Sequence, residues 1–257
     1  MRVAGVLLAC WAASAVAQTR AIPATDLRSG LSFGSAELRA MQADDFANPG
    51  MLWVERGEKL WQTPAGIAGR TCVSCHVDPA TSMKGVAARY PTFDAKAGRV
   101  IDLEGRINAC RTSRQQAPSL AAESEDLLAL TAFIAYHSRG LPLSVAIGEG
   151  ARTTFEQGRD LYYVRHGQMN LSCADCHERN WGRHLLAETI SQGHPNAYPA
   201  YRLEWQTLGS LGRRIRSCLF GIRAQMLPYD DPRLTALELF LAWRADGLPV
   251  EAPGVRR

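Results

Sequence analysis

Past its first seventeen residues, this 257-residue chain has no stretch approaching the roughly 18 apolar residues of a membrane-spanning helix. Nor does it have a basic tail or a large excess of either charge. Its 29 Lys and Arg stand against 25 Asp and Glu, so nucleic acid is not an expected partner. Alternating apolar and polar runs of any length are missing too, which argues against an extended sheet. Cysteine is sparse, at seven residues, and where those seven fall carries most of the information.

What is present begins with the leader. Arg2 precedes an apolar run, and Ala15-Val16-Ala17 stands before Gln18, the pattern of a secretory signal cleaved after Ala17. Trp11 is too bulky to follow a lipidated Cys10, so residues 1–17 read as a cleaved signal and the mature chain as periplasmic. With 46% apolar residues, the remainder can build one large core or two ordinary ones.

Two pentapeptides then stand out, Cys72-Val73-Ser74-Cys75-His76 and Cys173-Ala174-Asp175-Cys176-His177. C-x-x-C-H is the attachment signature of a c-type haem. Its two thiols, three positions apart, reach the vinyl groups on one edge of a porphyrin, and the following imidazole ligates the iron. A redox disulfide or half of a zinc site would not require that histidine. Two haem c groups are therefore expected, held by Cys72, Cys75, Cys173 and Cys176, with His76 and His177 as proximal ligands.

The chain also repeats. Glu55-Arg56-Gly57-Glu58-Lys59-Leu60-Trp61 matches Glu156-Gln157-Gly158-Arg159-Asp160-Leu161-Tyr162 at an offset of 101, the offset of the two haem motifs. Arg106–Cys110 matches Arg214–Cys218 at 108, and Ala129–Tyr136 matches Ala236–Trp243 at 107, ending in Gly140-Leu141-Pro142 and Gly247-Leu248-Pro249. Self-similarity of this kind predicts an all-α fold of two duplicated cytochrome c-type domains. The expected boundaries are an N-terminal arm at 18–45, a first domain at 46–142, a linker at 143–151 and a second domain at 152–257. Helices are expected over Asn48–Trp61, Glu125–His137 and Leu234–Ala245, the last two stopped by the Gly and Pro residues that follow. Trp61, Tyr162, Tyr136 and Trp243 fall where first and last helices cross, and are expected to be core residues.

Once the leader and the haem thiols are set aside, Cys110 and Cys218 remain, at equivalent places in the repeat. A disulfide between them suits an oxidising compartment. Alternatively each lies in the loop before its last helix and supplies a thiolate as sixth iron ligand, which favours ferric iron and low potential. Met83, Met226, His184 and His194 are competing ligands. Arg213, Arg214, Arg216 and Arg223 lie close to Cys218 in sequence. Such cations hold a thiol as thiolate and bind small oxyanions by bidentate hydrogen bonds.

With two C-x-x-C-H motifs, a cysteine after each and an arginine four residues before each cysteine, the chain resembles the SoxA family, the dihaem cytochrome subunits of thiosulfate-oxidising complexes. The resemblance implies that Cys110 and Cys218 are distal ligands, that Cys218 is also the catalytic cysteine persulfide, and that Arg214 binds substrate. It further implies an L-cysteine S-thiosulfotransferase that joins thiosulfate to a cysteine of a SoxYZ-type carrier and passes two electrons to a monohaem SoxX-type cytochrome. A plain dihaem electron carrier is the alternative; a dihaem peroxidase, which needs an open sixth position and a distal acid-base group, fits less well.

Overall fold

A computed structural model describes residues 20–257; the leader, with the expected cleavage after Ala17, lies outside the described residues. The chain opens with an arm whose one longer element is α1 (Ala36–Ala43), started by the Ser35 hydroxyl accepting from Leu38 N at 3.2 Å. Then follow α2 (Met51–Gln62), α3 (Val73–His76), α4 (Pro79–Ser82), the hairpin β1 (Thr92–Asp94) and β2 (Arg99–Ile101), α5 (Leu103–Cys110) and α6 (Glu125–Tyr136). The same order recurs as α7 (Glu149–Tyr163), α8 (Cys173–His177), the hairpins β3 (His184–Leu185)/β4 (Glu188–Thr189) and β5 (Ala200–Arg202)/β6 (Thr207–Gly209), α9 (Leu211–Gly221) and α10 (Pro232–Arg244). A last strand, β7 (Gly254–Arg256), pairs parallel with β5. The strands are a departure from an all-helical reading. Each is two or three residues long, too short to leave an alternating pattern in the sequence.

In each half the first and last helices cross at a glycine. A Cβ on Gly57 would lie 2.2 Å from Ala129 O, and one on Gly158 would lie 1.9 Å from Ala236 O. Only hydrogen lets the two backbones approach that closely. Around these crossings the aromatic residues are core, as expected. Trp61 and Tyr162 are 3% and 0% exposed, Trp61 packs on Phe133 at 5.5 Å, and Tyr162 packs on Phe240 at 5.1 Å. Tyr136 and Trp243 are half-buried at the core edges. A buried aromatic such as Phe155 contributes about 1.5–3 kcal/mol.

The halves interlock by exchanging hairpins. Val100 of β2 is buried in the second core beside Phe155 and Leu237, and Phe93 lies against Gly150 of α7. Conversely, Leu208 of β6 enters the first core, and Tyr201 of β5 packs on Trp53 at 5.9 Å. The two helix-stop segments also pair with each other. Leu143 N donates to Leu248 O and Val250 N to Leu141 O, each at 2.9 Å, with Pro142 opposite Pro249. The segment 143–151, expected as a linker, therefore begins in this pairing and ends inside the first turn of α7, because Gly148 caps that helix.

The arm is tied to the second half. Arg20 pairs with Asp246 at 2.7 Å, and Gln42 accepts from Val255 N at 2.9 Å. Arg28 N donates to Gln192 Oε1 at 2.7 Å, while Phe33 packs edge-on to Trp181 at 6.2 Å. Among the described residues, no helix is long and apolar enough to cross a membrane.

Candidate functional site

In the second half, α8 is set by a capping box. The Ser172 hydroxyl accepts from Asp175 N at 3.1 Å, and the Asp175 carboxylate accepts from Ser172 N at 2.9 Å. That single turn carries Cys173, Cys176 and His177. His177 Nδ1 donates to Ser191 O at 2.8 Å, which leaves the lone pair on Nε2 free for a ligand. Gly193 has φ +72° and lies flat on the imidazole, where a Cβ would come within 2.8 Å of the ring. From α9, Cys218 approaches the same site. His177 acts on the Cys218 thiol, and the charge of Cys218 acts on both Cys173 and Cys176.

The electrostatics separate these thiols. Burial alone pushes the Cys218 thiol up, but Arg214, His177 and Arg202 outweigh it and bring the pKa down to about 7. Cys173, by contrast, is pushed up to about 12, first by burial and then by the neighbouring Cys218. Arg214 stands one helical turn before Cys218, on the same face of α9. The Cys218 thiolate is the largest influence on it, and among the described residues its guanidinium forms no salt bridge.

The other three arginines expected around Cys218 are engaged elsewhere or lie apart. Arg213 stacks over Trp205 at 4.3 Å and faces Glu123 at 3.9 Å. Arg216 donates to Leu227 O and lies over Tyr229 at 4.3 Å, and Arg223 is exposed. The reason is helical. Positions two and five residues before Cys218 lie on other faces of α9, whereas a spacing of four returns to the same face. A residue that sequence reasoning missed, Arg202 of β5, completes the cationic surroundings.

The competing ligands have surroundings of their own. Met226 is 44% exposed and His184 lies on an exposed strand. His194 is buried with its Nε2 3.0 Å from Gln192 Oε1, and Met83 is packed into the first core. Among the described residues Cys110 and Cys218 form no disulfide. Both cysteines also lie on helices rather than in a loop before the last helix. The Asp102 carboxylate accepts from Gly105 N at 2.6 Å to start α5, and the Ser210 hydroxyl accepts from Arg213 N at 3.0 Å to start α9.

In the first half, Cys72 N donates to Trp61 O at 3.0 Å, and the His76 ring lies on Trp61 at 5.4 Å. Cys110 is near enough that its charge acts on Cys72, whose thiol is pushed up first by burial. Here the arginine is neutralised. Arg106 donates to Tyr90 OH at 3.2 Å and is ion-paired with Asp94.

Each half thus carries two thiols and an imidazole on one C-x-x-C-H turn, the arrangement of a covalently attached haem, with a further cysteine whose charge acts on one of those thiols. Among the described residues no cluster of three or more His, Cys, Asp or Glu could hold a metal ion by itself. The model of the SoxA/TsdA cytochrome c domain matches residues 56–143, spanning the first C-x-x-C-H. The L-cysteine S-thiosulfotransferase subunit SoxA of Pseudaminobacter salicylatoxidans is 44% identical over 230 residues, covering 89% of this chain and 80% of that one. The same subunit of Rhodovulum sulfidophilum is 42% identical, covering 90% and 80%. The chain belongs to the SoxA family. In fold it is similar to the crystal structure of SoxXA from P. pantotrophus, with a TM-score of 0.86 at 36% identity, covering 89% of this chain and 86% of that one. As a family member it is a haem c protein, and the C-x-x-C-H turns of α3 and α8 carry the residues that fit that group.

Proposed function

We propose that this SoxA-family chain is a periplasmic, two-haem L-cysteine S-thiosulfotransferase subunit whose reaction takes place at Cys218. The observation that carries the reading is the pairing of Cys218, held towards thiolate, with an Arg214 guanidinium that forms no salt bridge among the described residues. In this reading Cys72 and Cys75 would hold one haem, with His76 and Cys110 available to its iron. Cys173 and Cys176 would hold the other, with His177 and Cys218 available to its iron. The duplicated domains span 46–142 and 152–257.

Thiosulfate is a small dianion, and a guanidinium offers its oxygens two parallel charge-assisted hydrogen bonds. Arg214 orients that anion with its terminal sulfur toward Cys218. Joining thiosulfate to the Cys218 sulfur with loss of two electrons gives a Cys–S–S–SO3⁻ adduct. A carrier thiolate that attacks its sulfane sulfur releases Cys218 as thiolate, a role open to a thiolate and closed to a thioether. Overall, a carrier thiol and thiosulfate give a thiosulfonate on the carrier, one proton and two electrons. Haem bound at the site supplies one-electron acceptance beside the sulfur. Ser191 O orients the His177 ring so that its Nε2 would be available to the iron. A SoxX-type monohaem cytochrome receives the electrons, and a SoxYZ-type carrier presents the accepting cysteine.

The test is reconstitution of the chain with its monohaem partner, carrier and an electron acceptor. Thiosulfate-dependent acceptor reduction should accompany a mass gain of one thiosulfate unit on the carrier. Acceptor reduction without modification of the carrier would leave a plain electron carrier.

A further inference from the structure

We propose that Gln192 is a positioning residue for the second haem's iron ligand, carrying the hold of the N-terminal arm to the His177 imidazole and so setting that haem's potential. This rests on the two-haem reading, in which His177 ligates iron.

Gln192 sits between the two residues that shape the His177 ring's surroundings. Ser191, before it, accepts from His177 Nδ1 at 2.8 Å through its carbonyl, and Gly193, after it, lies against the ring. The Gln192 side chain has no exposed surface, so both ends of its amide need partners. The arm supplies them. Oε1 accepts from Arg28 N at 2.7 Å, and Nε2 donates to Asp26 O at 2.9 Å. Two backbone groups of the arm thus clasp one side chain of the loop. Arg244, 4% exposed, closes the frame from within the second half. It donates to Gln192 O at 3.0 Å and pairs at 3.3 Å with Glu178, the residue directly after His177. The arm reaches the segment after α8 as well. The Arg28 guanidinium lies 5.6 Å from the Trp181 ring, which Phe33 meets edge-on.

The first half supplies the internal control. Counting back from Tyr90-Pro91 and Tyr198-Pro199, Met83-Lys84-Gly85 stands where Ser191-Gln192-Gly193 stands in the second. Gly85 keeps the left-handed backbone, φ +70° against +72°, yet a Cβ there would meet Leu141 and Arg89 rather than a histidine. Lys84 is exposed, and His76 packs on Trp61 of its own half. The turn is common to both halves; the clasp from the arm belongs to the second. A hydrogen bond from the non-ligating ring nitrogen to a carbonyl fixes the ring and makes the other nitrogen a stronger donor. Stronger donation favours ferric iron. Once the arm lets go of Gln192, the Ser191 carbonyl can drift from Nδ1, donation weakens and ferrous iron gains.

The experiment uses the haem-loaded complex with its monohaem partner and the full arm. Gln192→Leu removes both arm bonds at nearly constant volume. Gln192→Asn keeps the amide but falls one methylene short of the two arm groups. Gln42→Ala loosens the arm at its other end, where Gln42 accepts from Val255 N at 2.9 Å. Each is read by redox titration and low-temperature EPR, with the melting temperature alongside. Gln192→Leu should lower the second haem's ferric-to-ferrous ratio at a fixed potential about three- to tenfold and shift its EPR signal, leaving the first haem unchanged. Gln192→Asn should move it the same way by less. Gln42→Ala should lower the melting temperature without moving either haem. If the Gln192 variants melt earlier while the second haem stays as in the parent, the clasp is packing alone and the proposal is overturned. It is overturned equally if Gln42→Ala shifts the second haem as far as Gln192→Leu does. A parent whose peptide masses show no haem on Cys173 and Cys176 would instead end the two-haem reading beneath it.

Discussion

Arg106 and Arg214 each stand four residues before a cysteine, on helices that begin with equivalent side-chain caps, yet their surroundings are opposite. At the end of the preceding hairpin the first half places Asp94 and the second places Arg202. One carboxylate turns Arg106 into half of an ion pair; one guanidinium leaves Arg214 facing Cys218. The C-x-x-C-H histidines differ as well. His177 is held by Ser191 O and by Gly193, in a loop further braced by the buried Arg244, which donates to Gln192 O at 3.0 Å. His76 rests against Trp61. On the same scaffold one arginine is ion-paired and the other, among the described residues, is not. Chemistry at a repeated motif is decided by residues outside the motif.

Substituting the two cysteines should separate the halves most. Cys218→Met is expected to lower thiosulfate turnover by about a thousandfold or more, because a thioether cannot form the Cys–S–S–SO3⁻ adduct. Cys110→Met should leave turnover largely in place and raise the first haem's midpoint potential, read by redox titration. Near-normal turnover of Cys218→Met would reduce that cysteine to a ligand and erase the contrast.

The arginines should show the next largest difference. Arg214→Lys keeps the charge and loses the fork, so kcat/KM for thiosulfate should fall about 10–100-fold. Arg106→Lys, still beside Asp94, should change it less than about threefold. Equal losses from the two would mean that both arginines serve the haems.

Gly193→Ala tests the histidine contrast. A methyl group at φ +72°, pressed on the His177 ring, should alter the second haem's low-temperature EPR signal and leave the first haem's unchanged. Unchanged signals from both would show that the loop gives way freely. Gly57→Ala and Gly158→Ala address what the halves share. Each overpacks a helix crossing and should cost about 1–3 kcal/mol by thermal or denaturant unfolding. A neutral outcome at either would show that its crossing can open.

The smallest effect lies between the halves. Glu238, 9% exposed, lines a cavity of about 110 Å³ there, and burial, then Asp102, Glu104 and Glu123, push its pKa well above the usual carboxylate range. The folded state therefore favours the protonated form. Stability from this group is present below the unfolded carboxylate value of about 4.3 and is lost as pH rises toward the folded value. Glu238→Gln should melt at the same temperature as the parent near pH 4 and higher at pH 7–8. Coincident melting curves at both pH values would contradict the assignment.

Much of this was legible in the chain. The helix over Glu125–Tyr136 starts at the residue expected, because Ser124 and the paired acids mark an N-terminus and Gly140 a stop. C-x-x-C-H marks where two thiols and an imidazole share one turn, since local spacing suffices to bring them together. The repeat located Cys110, Cys218 and Arg214, and helical period explains why Arg214 alone among four neighbouring arginines reaches the sulfur. The Tyr-Pro dipeptides at 90–91 and 198–199 even aligned Asp94 with Arg202, a signal that only becomes meaningful beside the cysteines. What the tertiary structure decided is everything that depends on distant segments meeting: the exchanged hairpins, the carbonyl of Ser191 on His177, the arm laid on the second half, and the sign of the charge facing each arginine. Periodicity and motif spacing encode contacts within a turn or two of helix. Electrostatics acts through space, and whether Arg214 met an aspartate or an arginine was settled only when a short hairpin, too small to leave a pattern, folded against its helix.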